Sequence, residues 1–139
     1  MIASSPAGTQ LVRLPTWLWL DRGFWQARTA TAEVPAVSVT ATATPTSVAW
    51  SMGDGTTVTC AGPGTPFPGS RDPKAASPDC GHTYQHSSAG MPVERFPVTA
   101  TVSWRITWAG AGASGTFPDF TTSGSAALRV AESQALGTG

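Results

Sequence analysis

A chain of 139 residues, 40% of them apolar and only 12% charged, is one domain by size and can bury a core without a structural metal or several disulfides. Its eight basic and eight acidic residues cancel. The basic ones are scattered, which excludes the clustered stripe a nucleic-acid binder needs.

Thr, Ser, Ala, Gly and Pro stand where Lys, Glu and Leu would normally be, so helices are disfavoured and strands with many turns are expected. Residues 1–10 are small and polar, with no basic n-region and no apolar h-region. They are expected to form a disordered leader, the ragged start of a domain whose export signal lies upstream. From residue 11 to 20 the chain becomes apolar on both faces, Trp17 and Trp19 on one side, Leu18 and Leu20 on the other. Such a strand is either buried on both sides or leaves a tryptophan face open. The apolar run is too short to insert in a membrane. Asp21-Arg22-Gly23 is a turn, and Phe24-Trp25 opens the next element.

Residues 37–44 alternate Val37, Val39, Ala41 and Ala43 against Ser38, Thr40, Thr42 and Thr44, which predicts a strand. Pro45-Thr46-Ser47 is expected to turn it. A second strand, 48–52, aligns Trp50 with Val48 and Met52 on a core face. Gly53-Asp54-Gly55 has the chemistry of a tight reversal, because Gly supplies positive φ and Asp bonds nearby amides. Residues 56–60 then return as a hairpin arm.

Residues 62–79 form a Pro- and Gly-rich excursion too long to be left untied. Cys60 and Cys80 stand at its roots, twenty positions apart. A disulfide there would stabilise the fold by roughly 3 kcal/mol and implies an oxidising compartment. The alternative is half of a metal site with His82 and His86, but zinc ligands usually come in close pairs and this chain has one Cys-x-His. His82 and His86 would stack on a helix; on an extended segment four residues separate them by about 13 Å. Asp54, Asp72 and Asp79 could contribute to a calcium site, although turn chemistry already accounts for Asp54. No metal and no cofactor is expected.

The strongest pattern runs over residues 96–108, with Val98, Ala100, Val102, Trp104, Ile106 and Trp108 on one face. Gly110-Ala-Gly112-Ala-Ser-Gly115 fits a dinucleotide fingerprint literally, but Thr116-Phe117-Pro118 follows where a helix would have to open, so it is a turn. A last strand is expected near 123–132, with a short helix as its alternative. Residues 134–139 read as a flexible tail, leaving 11–133 as the domain.

Trp50-Ser-Met-Gly53-Asp54-Gly55, followed by His82-Thr83-Tyr84 and a long alternating strand, resembles the polycystic-kidney-disease (PKD) type of immunoglobulin-like domain. Ser51 and Met52 stand where that signature has Asp and Phe. The resemblance implies a two-sheet antiparallel β-sandwich in which His82 bonds backbone and Tyr84 packs inward, its hydroxyl pinning a corner. The texture around Leu14-Pro-Thr-Trp-Leu-Trp-Leu20 and Cys60-Ala-Gly-Pro-Gly-Thr-Pro66 is also similar to C-terminal regions of actinobacterial exported proteins of unknown function. A non-catalytic, secreted or cell-surface interaction or spacer domain is therefore expected, with a protein or cell-wall component as partner. No nucleophile, acid–base pair or metal cluster is assembled by spacing. The alternative is a carbohydrate- or cell-wall-binding module that stacks sugars on exposed Trp17, Trp19 and Trp25.

Overall fold

A computed structural model describes residues 2–5, 9–68, 72 and 74–132, the first four as backbone only. In chain order the elements are β1 (Ile2–Ser5), β2 (Gln10–Leu11), β3 (Pro15–Leu20), β4 (Arg28–Val34), β5 (Val37–Ser51), β6 (Thr57–Cys60), β7 (Gly81–Thr83), a 3-10 turn (Pro92–Glu94), β8 (Phe96–Gly110), β9 (Ala113–Thr116), β10 (Phe120–Leu128) and β11 (Val130–Ala131). The protein is an all-β sandwich of the immunoglobulin-like kind.

Two antiparallel strands of fifteen residues each, β5 and β8, form the spine of the larger sheet. On the outer edge of β8, β10 pairs with its first half and β9 with its second. On the outer edge of β5, β4 pairs with the first half and β6 with the second. The facing layer is β1–β3–β7, and β2 and β11 form a short parallel pair that ties the two ends of the described chain together.

Period-2 alternation puts Val48 and Trp50 of β5 and Val98, Ala100, Val102 and Trp104 of β8 against Leu18 and Leu20 of β3, with Met52, Tyr84, Phe96 and Leu128 closing the core. Each large apolar side chain so buried contributes about 1.5–3 kcal/mol.

Several expectations are corrected. Ile2–Ser5, expected to be part of a disordered leader, pairs antiparallel with Leu20–Trp17. Small polar residues can serve as an edge strand because the ladder is made by backbone. Residues 45–47 do not turn the chain. They form a bulge within β5, where Pro45 pairs with Trp104, Ser47 pairs with Ser103 and Thr46 is the extra residue. Proline lacks the N–H of a regular ladder and is accommodated at a bulge. Phe24 and Trp25 do not open a strand; their amides close the turn by donating to Asp21 and Arg22 carbonyls. The strand begins at Arg28 and returns into β5 through Pro35-Ala36, with Ala36 at φ 71°. The last strand, expected near 123–132, does form but begins earlier, at Phe120, and ends at Leu128, with Val130–Ala131 a separate short strand. The proposed tail, 134–139, lies outside the described residues.

Candidate functional site

The motif residues form one structural hub. Gly53 and Gly55 hold φ of 82° and 91°, and the reversal they allow brings Met52 N–H to the Thr56 carbonyl at 2.9 Å. Asp54 Oδ1 accepts the Thr56 amide at 3.0 Å, and its Oδ2 meets His82 Nε2 at 2.8 Å. The resemblance implied a backbone partner for His82; its ring instead bonds a carboxylate. Burial acts to raise the Asp54 carboxyl, but the hydrogen bonds from His82 and Thr56 and the histidine charge outweigh it, holding the group below its usual range.

Thr83 lies in β7, opposite Pro15. Tyr84 is fully buried, edge-on to His82 and stacked on Phe96 at 4.9 Å between centroids. Its hydroxyl donates to the Met52 carbonyl, and burial followed by the nearby Asp54 charge pushes its ionisation upward.

Cys60 and Cys80 form a disulfide, their Cα atoms 5.7 Å apart. It anchors the long loop, which lies along β3 closely enough that a Cβ at Gly64 would fall 2.1 Å from the Leu18 carbonyl oxygen. Leu20 and Leu18 amides donate to the carbonyls of Pro63 and Cys80. A groove of about 360 Å³ beside the disulfide carries only Asp79 and His82 as titratable side chains. Asp79 is engaged there by Thr65 and Ser77. Among the described residues no three His, Cys, Asp or Glu side chains converge to hold a metal.

The three N-terminal tryptophans do not form a platform. Trp17 is buried beneath the loop, edge-on to Phe67, and its Nε1 donates to Ala75 at 2.8 Å. Trp19 is half-buried, and Trp25 packs against the core.

The surface that sequence reasoning missed lies elsewhere. Beyond Trp104 the larger sheet continues as a four-stranded extension: β4, residues 37–44 of β5, residues 105–110 of β8, and β9. Among the described residues no strand of the second layer pairs onto it, and every residue of β4 is exposed. Directly paired residues share a face, so the register assigns the side chains. Arg28, Ala43 and Ile106 form one row; Ala30, Ala41, Trp108 and Gly115 the next; Ala32, Val39, Gly110 and Ala113 a third; Val34 and Val37 the tip.

This is the core-facing side of the sheet carried past the end of the core. Phe120, opposite Trp104, lies on it. Phe117 continues it, its amide donating to the Ile106 carbonyl. Val34 (62% exposed), Val37 (38%), Phe117 (51%) and Phe120 (47%) are four of the five exposed large hydrophobics among the described residues, and all four fall on this one face. The indole of Trp108 lies flat over Gly115, where a Cβ would fall 2.6 Å from its Nε1. Trp108 is half-buried for that reason and not, as expected, by the core.

The opposite face of the extension is hydroxylated, with Thr31 and Thr40 bonded across strands at 3.0 Å. No family model, curated protein or solved structure matches this chain.

Proposed function

We propose that this is a non-catalytic interaction domain of a larger exported protein, and that it works through the apolar face of the sheet extension. One observation carries the reading: four large exposed hydrophobic side chains share one side of one sheet. A plain spacer gains nothing from such a face, and contiguous apolar patches on soluble proteins mark interaction sites. Export is supported by the Cys60–Cys80 bridge, since disulfides persist in oxidising compartments. The PKD-like signature Gly53-Asp54-Gly55 with His82-Thr83-Tyr84 supports the same reading, because such domains mostly serve as extracellular binding modules and spacers. No helix among the described residues is long and apolar enough to cross a membrane.

A sugar-binding reading would rest on Phe117 and Phe120, the exposed aromatics, in place of Trp17, Trp19 and Trp25. The test is photo-crosslinking in the full-length protein on its native cells, from position 37 on the apolar face and from position 129 outside it. The interaction reading expects discrete products from 37 alone. Equal or absent products at both positions would leave a spacer. Retention of the chain on peptidoglycan, chitin or cellulose, lost on Phe117→Ser, would select the sugar reading.

A further inference from the structure

The larger sheet has a second layer over only half its length. β1–β3–β7 covers it as far as the row of Trp104, where Phe24 sits edge-on to that indole with centroids 6.1 Å apart. Beyond that row the same apolar face continues past Ala43, which still packs against the core, to Val34 and Val37, which are exposed among the described residues. A sheet that is apolar on one face is stable when that face is covered by another layer.

We infer that the missing layer is the same extension of a second copy of this chain, turned end for end. This deepens the interaction reading and rests on it. The geometry restricts how a second copy can approach. Two sheets pack about 10 Å apart. A copy laid in the same direction would drive its β10–β8–β5–β6 half into the space held by β1–β3–β7. A copy rotated end for end overlaps only where both are single-layered. Each extension then lies in line with the other molecule's β1–β3–β7 layer, and each supplies the layer the other lacks.

The side chains fit this arrangement. The two central rows are Ala30, Ala41, Trp108 and Gly115, and Ala32, Val39, Gly110 and Ala113, and end-for-end stacking sets each over the other, so that Trp108 meets Gly110 and Val39 meets Ala41. Val34 and Val37 stand at the tip, and Ile106 and Phe117 at the base. End-for-end stacking sets each tip over the other copy's base and runs β4 antiparallel to β4. The one charge on the face, Arg28, lies at the outer corner of the base, over the other copy's Val34 at the tip, and no like charges are opposed. At about 3.3 Å per residue and 4.8 Å per strand the extension measures roughly 20 by 19 Å, so the two faces together cover roughly 760 Å² in projection. That is below the area of stable specific interfaces and sets the expectation of a weak, reversible dimer.

Sedimentation equilibrium of the whole chain, from about 1 µM to about 1 mM, tests this across the affinity range such an area supports. The wild type is expected to show a monomer–dimer equilibrium. Ala41→Glu, at the centre of the face, and Val37→Glu, at the tip, should each raise the dimer dissociation constant about 100-fold or more, the first by setting like charges near one another across the two-fold and the second by desolvating a carboxylate over the other copy's Ala43 and Ile106. Thr40→Glu, one residue away on the hydroxylated face, should leave it unchanged. Far-ultraviolet circular dichroism checks that each variant folds, and Val37→Glu carries the test if Ala41→Glu does not.

A wild type monomeric throughout would overturn the proposal. So would a dimer that survives both apolar-face variants, as pairing along the free edge of β4 would, or one that Thr40→Glu weakens equally. If the chain is monomeric while crosslinks from position 37 still capture another molecule, only the self-partner is lost and the interaction reading stands.

Discussion

The hydroxyl of Tyr84 donates to the main-chain carbonyl of Met52 at 2.9 Å, across 32 positions of sequence and entirely out of water. Met52 is the last residue before the Gly53–Gly55 reversal, and Tyr84 follows the strand that the disulfide anchors. One buried bond therefore joins the hairpin of the larger sheet to the facing layer. Tyr84 stacks flat on Phe96, at an interplanar angle of 2°, where β8 begins.

Tyr84→Phe keeps the stacking and removes only the donor. It should cost about 1–3 kcal/mol, the penalty for stranding a buried acceptor. Urea denaturation measures it; an unchanged midpoint would mean that the bond contributes nothing net.

Asp54 has its carboxyl pKa held below the usual value of 3.8. For a carboxylate depressed in the folded state the stabilisation is fully present above the unfolded pKa, and it is lost as pH falls through the folded one. Thermal stability should accordingly drop below about pH 4 through this group. Asp54→Asn should flatten that acid limb while leaving a hydrogen-bond partner for His82. Identical acid limbs in the two proteins would remove Asp54 from the account.

Trp50 is fully buried, and its indole N–H has no hydrogen-bond partner among the described residues. Trp50→Ala should cost about 3–5 kcal/mol through the cavity it opens. Trp50→Phe gives up less volume and no hydrogen bond, so it should cost less than half as much by chemical denaturation. Equal losses would show that the N–H is satisfied by a bound water.

The disulfide should be felt through Trp17. With Cys60 and Cys80 joined, Trp17 Nε1 holds the Ala75 carbonyl, the residue after Lys74. Reduction should destabilise the fold by roughly 3 kcal/mol and speed tryptic cleavage after Lys74. Thiol titration of denatured, unreduced protein should find no free cysteine. Cleavage at the same rate in both redox states would show that the loop is held by packing alone.

Much of the sandwich is legible in the residues. Alternation in β8 assigns Val98, Ala100, Val102 and Trp104 to the core correctly, and Gly53-Asp54-Gly55 marks its hairpin, because both signals are local. The extension is not legible in the same way. Val37, Val39, Ala41, Ile106 and Trp108 show the pattern of core residues, and periodicity reports which face a residue shares, not whether a second layer lies above it. β4 was missed because Arg28-Thr-Ala-Thr-Ala-Glu-Val34 has weak apolar contrast and gains its order from pairing with β5. The burial of Trp17 depends on where a Pro-rich loop folds back, which no spacing encodes. Pro45-Thr46-Ser47 has turn chemistry, and only the continuous pairing with β8 shows the chain running straight through.

That bulge has a consequence for how the protein can change. Ahead of it the odd-numbered residues of β5 face the apolar side; after it the even-numbered ones do, because Thr46 takes up one place in the alternation. Removing Thr46 would leave Pro45 opposite Trp104 and Ser47 opposite Ser103 in an uninterrupted register, so residues 37–44 would keep their faces and β5 would lose only its local kink. Removing a paired residue between 37 and 44 would instead put the residues ahead of it on the other side of the sheet. Within β5 the bulge is thus the one place where the chain can lose a residue without turning its apolar side over.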